Sequence, residues 1–487
     1  MNRKNLIALA AILIILAVVG YVVYVYLGLG KSSETEVKKA TLKPVSLKIM
    51  TDWSQWGQDD FKRYFFAESG MPRAGVMTAS ASMLLNITNI SFVRVLNPKE
   101  WVEAGRKGEV DGFIGQNRYN ISYVCLSGGL HPIEDAIILE LVKHIPDIMK
   151  GYTEDGKLCW VAMYWQPYAW LINREYAEKN GLAIPESWSD LIKPEYLGSV
   201  LKGVSLVAIY PVANRPATSN TVNVLLSKYG WEKGWSLIAV VFGGASSLYT
   251  SSSAARTAIS TGKALLTILG FEDAYTAYSM DPDRLSIKFP KNETGFWLTP
   301  IAIAAGVSED GLDGMYRLIT WTLTDMQDKM LLNRSGWLNM PVLGWNNTSP
   351  RMVYKEQAMA NIHAPPLELE LALGEAGPSI TLYADIITTD GDVRGLLRQF
   401  IQKLAEKYIK GEIDVNTYYK YIFKLGEPVE FTDPVSKTQV HFTLEKAREL
   451  GNAMREGKVS VDELKQELKN ALVNKLNSLI ESLSRDL

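Results

Sequence analysis

Cysteine is almost absent: Cys125 and Cys159 are the two in 487 residues. That excludes a disulfide-built scaffold and a four-cysteine zinc site, and leaves either one bridge or two buried thiols. Histidine is scarce as well. His131, His144, His363 and His441 form no HExxH and no paired ligand spacing, so no metal or cofactor site is expected. Surplus charge of one sign is missing: 51 Lys+Arg face 53 Asp+Glu, for a net charge of −2. A general nucleic-acid binder carries a basic face, so no nucleic-acid partner is expected. There is no G-x-S-x-G elbow and no Cys–His nucleophile context. Tryptophan is absent beyond Trp345, although all 13 residues of this type lie between Trp53 and Trp345. The chain therefore changes texture, from apolar and aromatic to mixed-charge, and its length predicts roughly two to four domains.

Long apolar runs are also rare, and the one present is terminal. Leu6–Leu29 (LIALAAILIILAVVGYVVYVYLGL) carries no charge. As a helix it would extend roughly 36 Å, enough for a bilayer core, and it exceeds a cleaved leader's apolar region. Tyr21, Tyr24 and Tyr26 sit near its outer end, where amphipathic rings favour the interface. Residues 1–30 are thus expected to be a single-pass transmembrane anchor. Lys31–Lys43 lacks apolar periodicity and is expected as a stalk over 31–44. Arg3 and Lys4 on one side are matched by Lys31, Lys38, Lys39 and Lys43 on the other, so the flanking charges do not set orientation. Sequons at Asn86, Asn89, Asn120, Asn292, Asn333, Asn346 and Asn347 fit an exported body and also arise by chance.

The body alternates strand and helix signals. Val45–Met50, Ile90–Leu96 and Gly108–Gly115 read as strands, with helical patterns at Asp59–Ala67 and Pro98–Arg106 between them. That order predicts a parallel α/β sheet. Leu158–Ile172 is a long aromatic strand run, broken at Pro167. Val204–Ile209, Ala264–Leu269, Leu285–Phe289 and Trp297–Ala305 are further strands. Val222–Tyr229, Trp231–Val241, Ala254–Thr261 and Met315–Leu332 read as helices. Beyond Trp345, helices are expected at Val393–Lys410, Val415–Leu425, Leu444–Gly457 and Ser460–Leu483. The last begins on a capping box, Ser460-x-x-Glu463, and carries a leucine stripe.

Three segments carry a family likeness: Tyr168–Asn173 (YAWLIN), Pro185–Gly198 (PESWSDLIKPEYLG), and Ala302–Pro341 with its TWTLTDMQDKMLLNRSGWLNMP ending. Together they resemble extracellular solute-binding proteins of ABC importers, in the branch with iron(III), thiamine and polyamine binders. The likeness runs from about Val45 to Leu343. An uncleaved anchor in place of a lipidated cysteine is similar to archaeal members, and places the body outside the cell. The long string itself is read as structural: Ser187 caps a short helix and Trp188 belongs to the core.

The resemblance implies a two-lobe periplasmic-binding-protein-like fold of type II, with a ligand cleft at strand ends and helix N-termini. Lobe 1 would comprise 45–166 and 295–345, lobe 2 would comprise 167–294, and 346–487 would be a helical extension partly packed on the lobes. Candidate contacts follow the expected strand ends: Asp52 and Trp53, Gly115 and Gln116, then Gly270, Phe271 and Tyr275, with Glu272 and Asp273 as added charge. Trp165, Tyr168 and Trp297 lie at the expected crossings. Thr218 and Ser219 match a T-S-G-type turn in which Asn220 replaces glycine. Ser252 and Ser253, after Ser251, open a helix, where hydroxyls serve a ligand or a cap. Iron(III) binders of this branch use an adjacent tyrosine pair; here the pair, Tyr418–Tyr419, falls in the charged tail, against iron(III). Aromatic walls and carboxylates fit a polyamine, a thiamine-like ring or a sugar. The expected partners are an ABC permease and its ATPase. A surface-anchored glycoside hydrolase and a cell-surface structural protein are the competing readings.

Overall fold

The computed structural model describes residues 42–66, 84–213, 215–329, 340–343 and 352–485. The apolar run Leu6–Leu29 lies outside the described residues, as do Asn333, Asn346 and Asn347. No helix among the described residues is long and apolar enough to cross a membrane. Residues Val45–Leu487 form one compact unit.

The first strand shows why the pattern folds as it does. In β1 (Val45–Thr51), Val45, Leu47 and Ile49 are buried while Ser46 and Lys48 are exposed, the period of a pleated strand. It runs parallel to β2 (Ile87–Arg94) and β3 (Gly112–Ile114), with helices Gln55–Phe66 and Pro98–Lys107 as connections. Short strands β4 (Leu130–His131) and β5 (Lys150–Tyr152) follow, then the 16-residue β6 (Leu158–Asn173). The second half holds β7 (Val207–Ile209), β8 (Ser246–Leu248), β9 (Leu266–Gly270), β10 (Leu285–Lys288), β11 (Phe296–Ala304) and β12 (Met340–Pro341). A separate hairpin pairs β13 (Glu430–Thr432) with β14 (Gln439–His441). The main order is β2-β1-β3-β11-β6-β9-β7-β8.

β6 pairs with two sets of strands, those of the expected lobe 1 and those of the expected lobe 2. Trp160–Pro167 pair with β11, and Tyr168–Ile172 pair with β9. The expected break at Pro167 is therefore a change of partner within one continuous strand. Proline donates no ladder hydrogen bond, and the site where one partner strand ends and another begins tolerates that loss. The registers also orient the sheets. β3 opposes Ile114 to Ile301 and Gly112 to Ile303, so its carboxyl end lies nearer the crossing. β9 opposes Gly270 to Tyr168 and Leu266 to Ile172, so its carboxyl end also points to the crossing. The carboxyl ends of the two sheets thus face one interlobe junction.

Lobe 2's sheet separates two apolar cores by its pleat. Ala169, Leu171, Ala208 and Tyr210 face a core continuous with lobe 1 and with helices Ser252–Ser260 and Phe271–Met280. Trp170, Ile172, Val207 and Ile209 face the other core, which Trp188 shares. There Trp188 is wholly buried edge-on to Trp170, centroids 4.9 Å apart, as a core residue. Residues from 373 onward belong to this second core, so the extension does not stand apart from lobe 2. Trp235 meets Tyr383 at 4.7 Å, the Tyr418 hydroxyl donates to the Ile192 carbonyl, and Trp231 Nε1 donates to Phe442 O. In the last helix, Val461–Arg485, Leu464, Leu468, Leu472, Leu476 and Leu483 bury one stripe, packing on helix Gly391–Ile409.

Several expected boundaries move. Helix Trp231–Ile238 continues into a π-helical turn, Ala239–Gly244, in place of a uniform helix to Val241. Wide turns strand carbonyls. Arg394 Nη1 donates to Phe242 O at 2.8 Å and Thr388 O at 2.9 Å, while its Nη2 and Arg398 Nη2 both donate to Ser246 O at 2.8 Å. The expected helix Met315–Leu332 is instead Glu309–Leu323 followed by Asp325–Lys329. Helices Met352–Met359 and Leu367–Thr389 and the β13–β14 hairpin occur where no element was expected. Cys125 and Cys159 form a disulfide joining helix Arg118–Leu126 to β6.

Candidate functional site

The junction is built where β1, β3 and β9 end against β6 and β11. Thr51 closes β1 fully buried, and its Oγ1 accepts from Trp53 N at 3.1 Å. That bond turns Asp52 and Trp53 out of the strand. At the end of β3, Gly115 has φ 110° and Gln116 φ 67°. The second value is left-handed for a residue with a Cβ, a strained conformation held by its surroundings. Gln116 Nε2 donates to Leu96 O, and its Oε1 accepts from Asn120 Nδ2 at 2.5 Å. A Cβ on Gly115 would fall 2.1 Å from Asp52 Oδ1, so only glycine permits this approach. Asp52, Gly115 and Gln116 are thus brought together.

Asp52 Oδ1 is buried without a hydrogen-bond partner. Burial pushes its carboxyl above the usual carboxylate range; the Gln116 backbone N–H and the Arg94 charge pull the other way. Trp53 is half-buried among Phe61 and Phe92, with centroids at 5.8 and 6.2 Å. Tyr164 and Trp297 face each other at 6.0 Å, one on each crossing strand. Burial raises the Tyr164 phenol, Thr299 lowers it, and the Asp52 charge raises it further, placing the three in one electrostatic neighbourhood.

From lobe 2, Gly270 comes within 3.0 Å, at its Cβ position, of Gln166 Oε1 on the crossing strand. Tyr168 is buried beside Gly295, and burial raises its phenol. Asn220 Nδ2 donates to Phe296 O, while its Oδ1 is buried unpaired against Gly295. Asn220 therefore binds the crossing directly from helix Pro216–Tyr229.

Other candidates are placed differently. Trp165 is fully buried with its N–H on Pro341 O, so its ring packs the crossing rather than an open surface. Thr218 and Ser219 lie within the first turns of Pro216–Tyr229, not in a separate turn, with both hydroxyls on Arg215 O. Ser251 accepts from Ala254 N and bonds Ser253 Oγ; Ser252 opens that helix, so the hydroxyl group includes a helix cap. Phe271 and Tyr275 join Tyr354 at 5.4 and 5.8 Å in an aromatic cluster, and Asp273 pairs with Arg256 at 2.9 Å. Gln166 and Tyr164 were not anticipated. A glutamine inside an otherwise apolar strand is the signal that marks the first.

A cavity of about 490 Å³ opens elsewhere in lobe 2, lined by Glu186, Asp190, Lys193, Lys228, Tyr229 and Lys291. It sits at the far end of helix Pro216–Tyr229, roughly 13 Å along the axis from Asn220. Part of its charge is paired: Lys193 with Asp190 at 2.6 Å and Lys228 with buried Glu293 at 3.0 Å. The junction differs in holding a buried carboxylate oxygen without a partner, Asp52 Oδ1, and the tilted ring pair Tyr164–Trp297.

Residues 102–341 match the model of the family described as bacterial extracellular solute-binding protein. On this match the chain reads as a solute-binding protein of the kind that serves ABC transporters, and the hydrolase and structural readings give way to it. The matched family is one of receptors rather than enzymes. Iron-bound HitA from Pseudomonas aeruginosa is similar at 13% identity and a TM-score of 0.49, over 70% of this chain and 99% of that one. Apo ferric ion-binding protein A from Pasteurella haemolytica is similar at 14% and 0.48, over 71% and 99%. AfuA from Actinobacillus pleuropneumoniae, with fructose-6-phosphate bound, stands at 15% and 0.42, over 63% and 88%. No curated protein matches.

Proposed function

We propose that the chain is the membrane-tethered receptor of an ABC importer, capturing a small extracellular solute between lobes 45–166 with 295–345 and 167–294. The observation that carries this reading is the junction: two sheets turn their carboxyl ends toward it across the shared strand β6. Strand ends of this kind leave helix N-termini and loop amides free for a ligand. The Leu6–Leu29 run serves as the anchor, with the body outside. The Cys125–Cys159 disulfide supports an oxidising exterior. Tethering keeps the receptor near its permease at high effective concentration.

The solute is an amine-bearing molecule, a polyamine or a thiamine-like cation, with a sugar as the alternative. Asp52 Oδ1 lacks a donor, and an ammonium group supplies one. Trp53 and Trp297, both half-buried, offer ring faces to a cation. A solute at 100 times its Kd stabilises the folded state by about 2.7 kcal/mol, so a thermal-shift screen with spermidine, thiamine and disaccharides detects it. In calorimetry on the hit, Asp52→Asn or Trp53→Ala weakens binding about tenfold, a loss of ~1.4 kcal/mol. Turnover of the solute, or unchanged affinity in both variants, defeats the proposal.

A further inference from the structure

Helix Leu367–Thr389 touches both lobes. Near its start, Glu370 forms an ion pair with Arg118, both side chains about four-fifths buried. One turn on, Gly374 lies on the Tyr119 ring, where a Cβ would come within 2.5 Å. Arg118 and Tyr119 open the helix that follows Gly115 and Gln116, in lobe 1. Near the other end, Asp385 Oδ1 accepts from Val212 N at 3.1 Å and Ala213 N at 3.4 Å, just beyond β7 in lobe 2. The two anchor points are 15 residues apart, roughly 22 Å of helix. Both stand immediately past strand ends that face the junction.

Between them lies Pro378. Proline has no N–H, so the Gly374 carbonyl four residues earlier has no donor within the helix. Arg455 fills the gap: Nη2 donates to Gly374 O at 2.6 Å and Nη1 to Glu375 O at 2.8 Å. The Ser379 hydroxyl donates to Ala447 O at 2.6 Å on the same neighbouring helix. The interruption is thus braced from outside, and it lies between the residues that meet lobe 1, Glu370 and Gly374, and the one that binds the lobe 2 backbone, Asp385. The preceding chain makes one more link: Thr294 N donates to Asn361 O and His363 N to Thr294 O, both at 3.0 Å, beside the start of β11.

We propose that helix Leu367–Thr389 is an interlobe strap that regulates opening of the solute site. The lobes part when Glu370 and Gly374 leave Arg118 and Tyr119, or when the helix bends at Pro378. The strap adds a restraint that β6 and β11 alone do not provide, so the free receptor stays near one spacing. A ligand shifts a hinge only by its differential affinity for the two states, and the strap sets how much is needed. This inference rests on the receptor reading, in which the junction is the solute site.

The test uses the full chain, disulfide intact, with spin labels on exposed Glu103→Cys in lobe 1 and Lys202→Cys in lobe 2. Pulsed electron–electron resonance reads the interlobe distance without any solute. The parent is expected to give one narrow distribution. Glu370→Gln, which keeps shape and removes the charge, shifts it to longer and broader distances, and Gly374→Leu does so more strongly. Circular dichroism checks that each variant is folded. If Gly374→Leu does not fold, amide exchange of Glu370→Gln decides: residues 367–376 gain exchange over 380–389. Unchanged distances in a folded Glu370→Gln, or equal exchange in both halves, overturns the strap. Because no solute enters, a failed solute screen leaves this result standing, and the two readings fail separately.

Discussion

The two apolar cores are closed by different means. The first, centred on lobe 1, is drawn from residues 45–358, with Trp321 on Phe61 and Phe65, and carries a covalent bond, Cys125–Cys159. The second, on the opposite face of lobe 2's sheet, is sealed by helices from the end of the chain. Leu397 and Ile401 lie where a Cβ on Gly243 or Gly244 would fall, so the extension packs directly against the π-helical turn. The contrast teaches that a binding lobe can gain its outer layer from a distant segment. The same segment then reaches the other lobe and couples covering to hinge control. The tail's dense charge is the outward face of those helices; its leucines face inward.

The contrast is broken most strongly at the disulfide. Replacing both cysteines by serine frees a 34-residue separation in the unfolded chain, for a loss of about 3–4 kcal/mol in denaturant unfolding. A loss below about 1 kcal/mol would show that packing alone seals the first core. Next is Arg394→Met, which keeps the apolar stem and leaves Thr388 O without its donor, while Phe242 O keeps the Ser246 hydroxyl and Ser246 O keeps Arg398. A buried carbonyl left without its donor costs about 2 kcal/mol, measured in the same assay, and the second core loosens first. The smallest effect is a pH slope. Burial holds Lys475 down to about 8 from 10.5, with its ammonium on the Leu425 carbonyl. Between those pH values the unfolded chain keeps a proton that the folded chain has released, so this group makes stability rise with pH. Lys475→Met removes that rise, and midpoints across the window should show the parent gaining on the variant.

Much of the architecture is legible in particular residues. Alternation in Val45–Thr51 and the long apolar run of β6 declare strands, and the leucine stripe after Ser460 declares its helix. The Ser460 hydroxyl accepts from Glu463 N as its capping pattern predicts. At the junction, Asp52, Trp53, Gly115, Gln116, Tyr168, Gly270 and Trp297 were foreseeable because each follows or occupies a strand with a clear signal. Less was visible where a local rule is overridden from far away. Pro378 with Gly374 and Gly377 weakens the helical pattern, and no helix is expected there, yet one runs through because Arg455, from a different helix, supplies a donor to Gly374 O. Pro167 reads as a strand end and is a change of partner.

Period, caps and turn residues act within a few positions, so most strand and helix segments up to Leu343, the resemblance, and the ends of those strands were readable from the chain alone. Tertiary packing set which ends meet at one junction, that Cys125 pairs with Cys159, and that Asp52 Oδ1 is left without a partner. It also decided that Glu370 crosses to Arg118. Those facts depend on contacts between residues as many as 252 positions apart. Contacts over such separations follow from how the layers pack, and local periodicity carries no record of them.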